Sequence, residues 1–110
     1  MAISPTQTAL NLTSAGTGQQ VTSDDEIKPS SIYFEAAIGN TGNIYIGKSD
    51  VSSTNYISCL AAGEGFTIEP DSELASNEGE NANFQLSDFY FDGDTTNDDL
   101  MMTYKYRKQG

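Results

Sequence analysis

The chain of 110 residues has no histidine, no tryptophan, a single cysteine, three prolines and only five basic residues. Each shortage closes off chemistry. Without histidine, neither a Ser-His-Asp nor a Cys-His arrangement can be assembled within one chain, and the lone thiol has no imidazole to activate it. That thiol, Cys59, cannot close an intrachain disulfide. Its neighbours Ile57, Leu60 and Ala61 mark it as a small buried hydrophobe. No cluster has zinc-ligand spacing, and no glycine pair makes a phosphate loop. Long hydrophobic runs are missing too. The opening MAISPTQTAL has neither a basic region nor an extended apolar core, so no signal peptide is expected. No apolar stretch reaches bilayer-spanning length. The expectation is a protein made and kept inside a cell, or carried out of it within a particle. Asn11-Leu12-Thr13 fits a glycosylation acceptor, and without a secretory signal it reads as a chance match.

The scarcity of bases sets the charge. Sixteen acids against five bases give a formal net charge of −11. Such a surface repels phosphate backbones and anionic membranes, so neither nucleic acid nor membrane is an expected partner. The charge either keeps a concentrated protein soluble or complements a basic partner. Hydrophobic residues at 36% and charged residues at 19% both fall below common globular usage, and the difference goes to Ser, Thr, Asn and Gly. That balance suits short strands and tight turns better than helices. The length allows one domain with a modest core.

The apolar pattern agrees. Residues 1–5 read as a short arm, and Thr8, Leu10 and Leu12 alternate with polar or small neighbours as a first strand. Residues 19–22 suggest a second. In residues 32–38, Ile32, Phe34, Ala36 and Ile38 share one face at period two. Gly39-Asn40-Thr41-Gly42-Asn43 follows, then Ile44-Tyr45-Ile46-Gly47, and together they read as a β-hairpin with a loop of three to five residues. Strands are also expected over 56–61, 66–69, 84–86, 89–91 and 100–108. The last of these puts Leu100, Met102, Tyr104 and Tyr106 on one face and Thr103, Lys105 and Arg107 on the other. Residues 71–83 read as an acidic surface loop, with one helical turn conceivable around residues 72–75. No segment carries a 3.6-residue period. The expected architecture is an antiparallel β-sandwich, jelly-roll-like, of about eight short strands. It comprises an N-terminal arm with the first strand (1–13) and a single sandwich domain (14–110).

One segment could carry chemistry. Asp92-Gly93-Asp94-Thr95-Thr96-Asn97-Asp98-Asp99 alternates oxygen donors as a calcium loop does, with Asp92, Asp94, Asn97 and Asp98 as candidate ligands. It departs from the EF-hand pattern in having glycine at the second rather than the sixth position and no glutamate at the twelfth. The first reading is therefore a plain turn between strands, with Asp and Asn satisfying nearby backbone, and no metal or other cofactor. Paired carboxylates for glycoside hydrolysis all fall in solvated loops, and no tryptophan is present to stack a sugar. An enzyme is not expected. Tyr33, Tyr45 and Tyr90 lie opposite the core face of their strands, where they either cover the second side of the sandwich or anchor a subunit interface.

The run GNTGNIYIG (39–47) continues through DVSST (50–54), LAAGEGFTI (60–68) and LSDFYFDGD (86–94). This pattern, spread over about two thirds of the chain, resembles small structural proteins of tailed bacteriophages. The resemblance implies a virion-associated sandwich without catalytic residues, most of all a capsid decoration (cement) protein. Such a protein would sit on the outer capsid surface as a homotrimer bound to the major capsid protein. The alternatives are a tail, fibre or adaptor component, or a carbohydrate-binding module using surface tyrosines. Leu10 and Leu12, expected to be poorly buried in a lone subunit, join Tyr33, Tyr45 and Tyr90 as interface candidates. Residues 1–12 are the segment expected to reach between protomers or onto the capsid floor.

Overall fold

Alternation decides the strands. In β3 (Ser31–Ala36), Ile32, Phe34 and Ala36 are fully buried while Tyr33 is exposed, as a pleated ribbon with one wet face requires. The structure, a computed structural model, describes residues 3–23, 29, 31–69 and 85–107, with the backbone alone for 3–6 and 105–107. It contains β1 (Ile3–Asn11), β2 (Gln19–Gln20), β3, β4 (Ile44–Gly47), β5 (Ser58–Leu60), β6 (Gly65–Ile68), β7 (Tyr90–Gly93) and β8 (Asp99–Arg107). Two four-stranded antiparallel sheets result, in the orders β1-β8-β3-β6 and β2-β7-β4-β5.

The pairing has a simple logic. Strand β1 lies against β8, β2 against β7, β3 against β6 and β4 against β5. The first half of the chain thus runs antiparallel to the second as one long ribbon. Folding that ribbon over itself adds the β3–β8 and β4–β7 pairings and makes two sheets that share a core. This is the jelly-roll order, so the expected sandwich class is what the chain adopts. Between the sheets pack Leu12, Val21, Ile32, Phe34, Ile44, Ile46, Leu60, Leu86, Phe89, Phe91, Leu100 and Met102. The rings of Phe34 and Phe89 meet across the layers at 6.2 Å, tilted by 59°.

Several expectations need correcting. The segments 32–38 and 44–47 do not form a hairpin, because β3 and β4 belong to different sheets and the seven residues 37–43 carry the chain from one to the other. The glycine- and asparagine-rich turn is held by the β7–β8 connection rather than by its own ends. Strand β3 stops at Ala36, so Ile38 leaves the core face and stands 88% exposed. Leu86 lies in a 3-10 turn (Leu86–Asp88) instead of a strand, although it is fully buried. Cys59 is half-buried and faces its register partner Tyr45 on the outer side of the second sheet. Burial pushes its thiol pKa up, with the charges of Asp94 and Glu64 adding to the rise.

The arm also differs. From Ile3 onward it is paired residue by residue with β8, from Ile3 opposite Arg107 to Asn11 opposite Asp99. Pro5 is tolerated because β1 is an edge strand, where a missing N–H need not break a ladder. Residues 71–83, with the turn around 72–75, lie outside the described residues, as does residue 108.

Candidate functional site

Antiparallel order puts the β1–β2, β3–β4, β5–β6 and β7–β8 connections together at one end of the sandwich. The acidic segment singled out from the sequence is the last of these, and it holds the β1–β2 and β3–β4 connections. Asp98 is 6% exposed, and its carboxylate accepts the backbone N–H groups of Thr41 at 3.0 Å and Gly42 at 2.8 Å. Asp94 accepts the N–H of Asn43 at 3.2 Å and the Tyr45 hydroxyl at 2.8 Å. Asp92 is 3% exposed and receives the N–H of Gly16 at 2.8 Å as well as that of Gly93. Asn40 closes a two-way bond with the backbone of Asp99, donating to its carbonyl and accepting its N–H, each at 2.8 Å. The Thr96 hydroxyl takes the N–H of Ala15, and the Asn11 side chain donates to Asp99 and to the Asn97 carbonyl.

These bonds explain why so many acids sit in one turn. A carboxylate accepting two amides is shorter-bonded and stronger than a neutral acceptor, and loop amides away from any ladder need partners when they are half-buried. Asn97 contributes through its backbone, in the left-handed region at φ 77°, which asparagine tolerates better than most residues. Its N–H donates to the Leu12 carbonyl at 2.8 Å, while the Leu12 N–H donates to the Asp98 carbonyl. Among the described residues, no buried side-chain nitrogen or oxygen lacks a hydrogen-bond partner.

The four calcium candidates therefore point at different backbone targets: Asp92 at the β1–β2 loop, Asp94 and Asp98 at the β3–β4 loop, and Asn97 at Leu12. Among the described residues no group of three or more His, Cys, Asp or Glu side chains is placed to hold a metal ion. Millimolar calcium or a chelator is expected to leave the melting temperature unchanged. Binding at 100 times the dissociation constant would add about 2.7 kcal/mol, so a calcium-dependent rise of several degrees that disappears in Asp94→Ala would contradict the clamp reading.

The five interface candidates separate on burial. Leu12 is fully buried, so it is not available to a partner as expected, whereas Leu10 is half-buried against the core. The reason is the register of β1, which carries Leu12 inward beside Gly93 at the mouth of the β7–β8 turn. Tyr45 is also buried, at 8% exposure, although it faces away from the core. The β4–β5 loop folds back over it, with the Tyr56 ring 5.3 Å from its own and Val51 pressed on Gly47. A Cβ at position 47 would stand 2.9 Å from the Val51 side chain, so only glycine admits this cover. Tyr90 is half-buried. Tyr33 remains on the surface at 39% exposure, its hydroxyl donating to Glu35 and lying over Gly65 of the neighbouring strand.

What sequence reasoning missed is Ile38. It stands on the β3–β4 loop beside Gly63, with Ala61 and Ala62 exposed nearby in the β5–β6 loop. The backbone below it is fixed: the Ala37 N–H donates to Asp99, the Gly63 N–H to Ala36, and the Ala61 N–H to the Glu64 carboxylate. The signal that was present is Gly39 immediately after it, three residues beyond the end of β3 at Ala36.

The hydrogen bond to Asp94 and burial raise the Tyr45 pKa from 10.0 to about 12. A raised pKa means the fold favours the neutral phenol. Its contribution to stability is complete below pH 10 and is lost as pH climbs towards 12. Urea denaturation across that window is expected to show stability falling in the wild type and falling less in Tyr45→Phe. Equal slopes would mean that Asp94 does not hold the phenol. No protein-family model matches the chain, and no curated protein matches its sequence.

Proposed function

We propose that this chain is a non-enzymatic virion protein of a tailed bacteriophage that docks on the outer capsid lattice and bridges neighbouring capsid subunits. The observation that supports this reading is the clamped loop end with Ile38 at its tip. Fixing loops before binding removes much of the ordering cost of association, and a preformed apolar knob suits repeated insertion into identical sockets of a lattice. Each copy needs only a modest interface, because a symmetric array gains from avidity. Self-association as a homotrimer at three-fold or quasi-three-fold positions closes the contacts. The net charge of −11 fits a molecule on the outside, away from packaged nucleic acid. A shared fold does not specify a role, so the reading rests on this surface and on the sequence resemblance.

Sedimentation with purified empty heads tests it. The wild-type protein should pellet with heads to saturation. Burying one isoleucine is worth about 1.5–3 kcal/mol, so Ile38→Asp should weaken binding by about tenfold or more at an unchanged melting temperature. Association with tails but not heads would relocate the protein within the virion. Undiminished loading of Ile38→Asp would remove the loop end from the interface.

A further inference from the structure

The opposite end of the sandwich carries a different feature. Where β2 ends, β4 ends and β7 begins, Gln20, Lys48, Ser49, Ser87, Asp88 and Tyr90 line an open concavity of about 410 Å³. This lies within the range of about 300–1,000 Å³ common to small-ligand sites. Every lining residue carries a polar group, so the concavity offers little to an apolar ligand. We propose that it is a binding site for a neutral saccharide, one pyranose ring with part of its neighbour.

The chemistry of the lining selects that class. Lys48 supplies an ammonium donor and Asp88 a carboxylate acceptor, so among the described lining residues one positive group stands with one negative group, and together they meet hydroxyls that both donate and accept. Lys48 is also positioned, its Nζ lying 4.7 Å from the centre of the Phe89 ring. The Gln20 amide donates to the Ser87 carbonyl at 2.8 Å, which orients its oxygen end and fixes the floor between β2 and the 3-10 turn. Ser87 itself is buried at 7% exposure. Tyr90, half-buried at the start of β7, brings an aromatic ring to the wall, and among the described lining residues it is the aromatic surface against which the C–H face of a sugar can pack. Anionic sugars are disfavoured by the field of a chain with net charge −11. The site shares no residue with the clamped loop end, so it stands independently of the lattice reading. On a molecule docked by its loop end, the concavity would face outward.

Titration of the 15N-labelled protein with methyl glycosides of glucose, galactose, mannose, rhamnose and N-acetylglucosamine, followed by NMR, tests the assignment. At least one glycoside should shift amides of residues 20, 48, 49 and 87–90 in a saturable manner. Lys48→Ala and Asp88→Ala, both exposed positions, should each weaken that binding tenfold or more while leaving the remaining spectrum in place. Absence of saturable shifts with the whole panel would overturn the proposal. So would shifts confined to other residues, or binding that survives both substitutions.

Discussion

Leu12→Ala is expected to destabilise the fold by about 2–5 kcal/mol, lowering the melting temperature by about 10 °C or more. Leu12 is fully buried between the sheets, beside Gly93 and among the side chains that close the loop end of the core. Its backbone is caught on both sides, by the Asp98 carbonyl and the Asn97 N–H, so the chain cannot easily shift to fill the cavity. A reading of residues 1–12 as a free arm makes the opposite forecast, a change near zero. Calorimetry or urea unfolding of the single variant separates the two. The comparison matters for function as well, because loss of capsid binding in an N-terminal truncation would report unfolding of β1 rather than removal of an anchor.

The second large effect belongs to Asp98. Replacing it with Ala strands the N–H groups of Thr41 and Gly42 at a half-buried position, and hydrogen bonds to a charged acceptor are worth about 1.5–3 kcal/mol. Asp98→Ala should therefore cost about 2–3 kcal/mol, with hydrogen-exchange protection lost first at Thr41 and Gly42. Asp98→Asn should fall between, since its carbonyl oxygen still accepts one amide while its NH2 group opposes the other. If Asp98→Ala matches the wild type in stability and exchange, the acidic turn is a solvated loop and does not fix the end of the sandwich.

Much of the fold was legible locally. Period-two alternation located β3 through Ile32, Phe34 and Ala36, and β8 through Leu100 and Met102, because burial of one face imprints itself on neighbouring residues. Pairing was less legible. The glycine-rich stretch at 39–43 looks like a hairpin turn from within. What makes it a crossover is Asp98, more than fifty positions away and invisible to any local pattern. The same separation hid the purpose of the acidic turn, whose donors resemble a metal loop until their amide partners are in view. Tyr45 looked exposed by alternation, and the covering by Tyr56 and Val51 depends on how the β4–β5 loop folds back. Ile38 went the other way, assigned to a core face that ends two residues earlier.

The most direct test of the lattice reading is the number of copies of this polypeptide in purified virions from its own source, measured by quantitative mass spectrometry against the major capsid protein. A decoration subunit that bridges capsid subunits across the head should be present on the order of hundreds of copies per particle, in fixed ratio to the capsid protein. A count of only a few per particle, or absence from the particles, would contradict it.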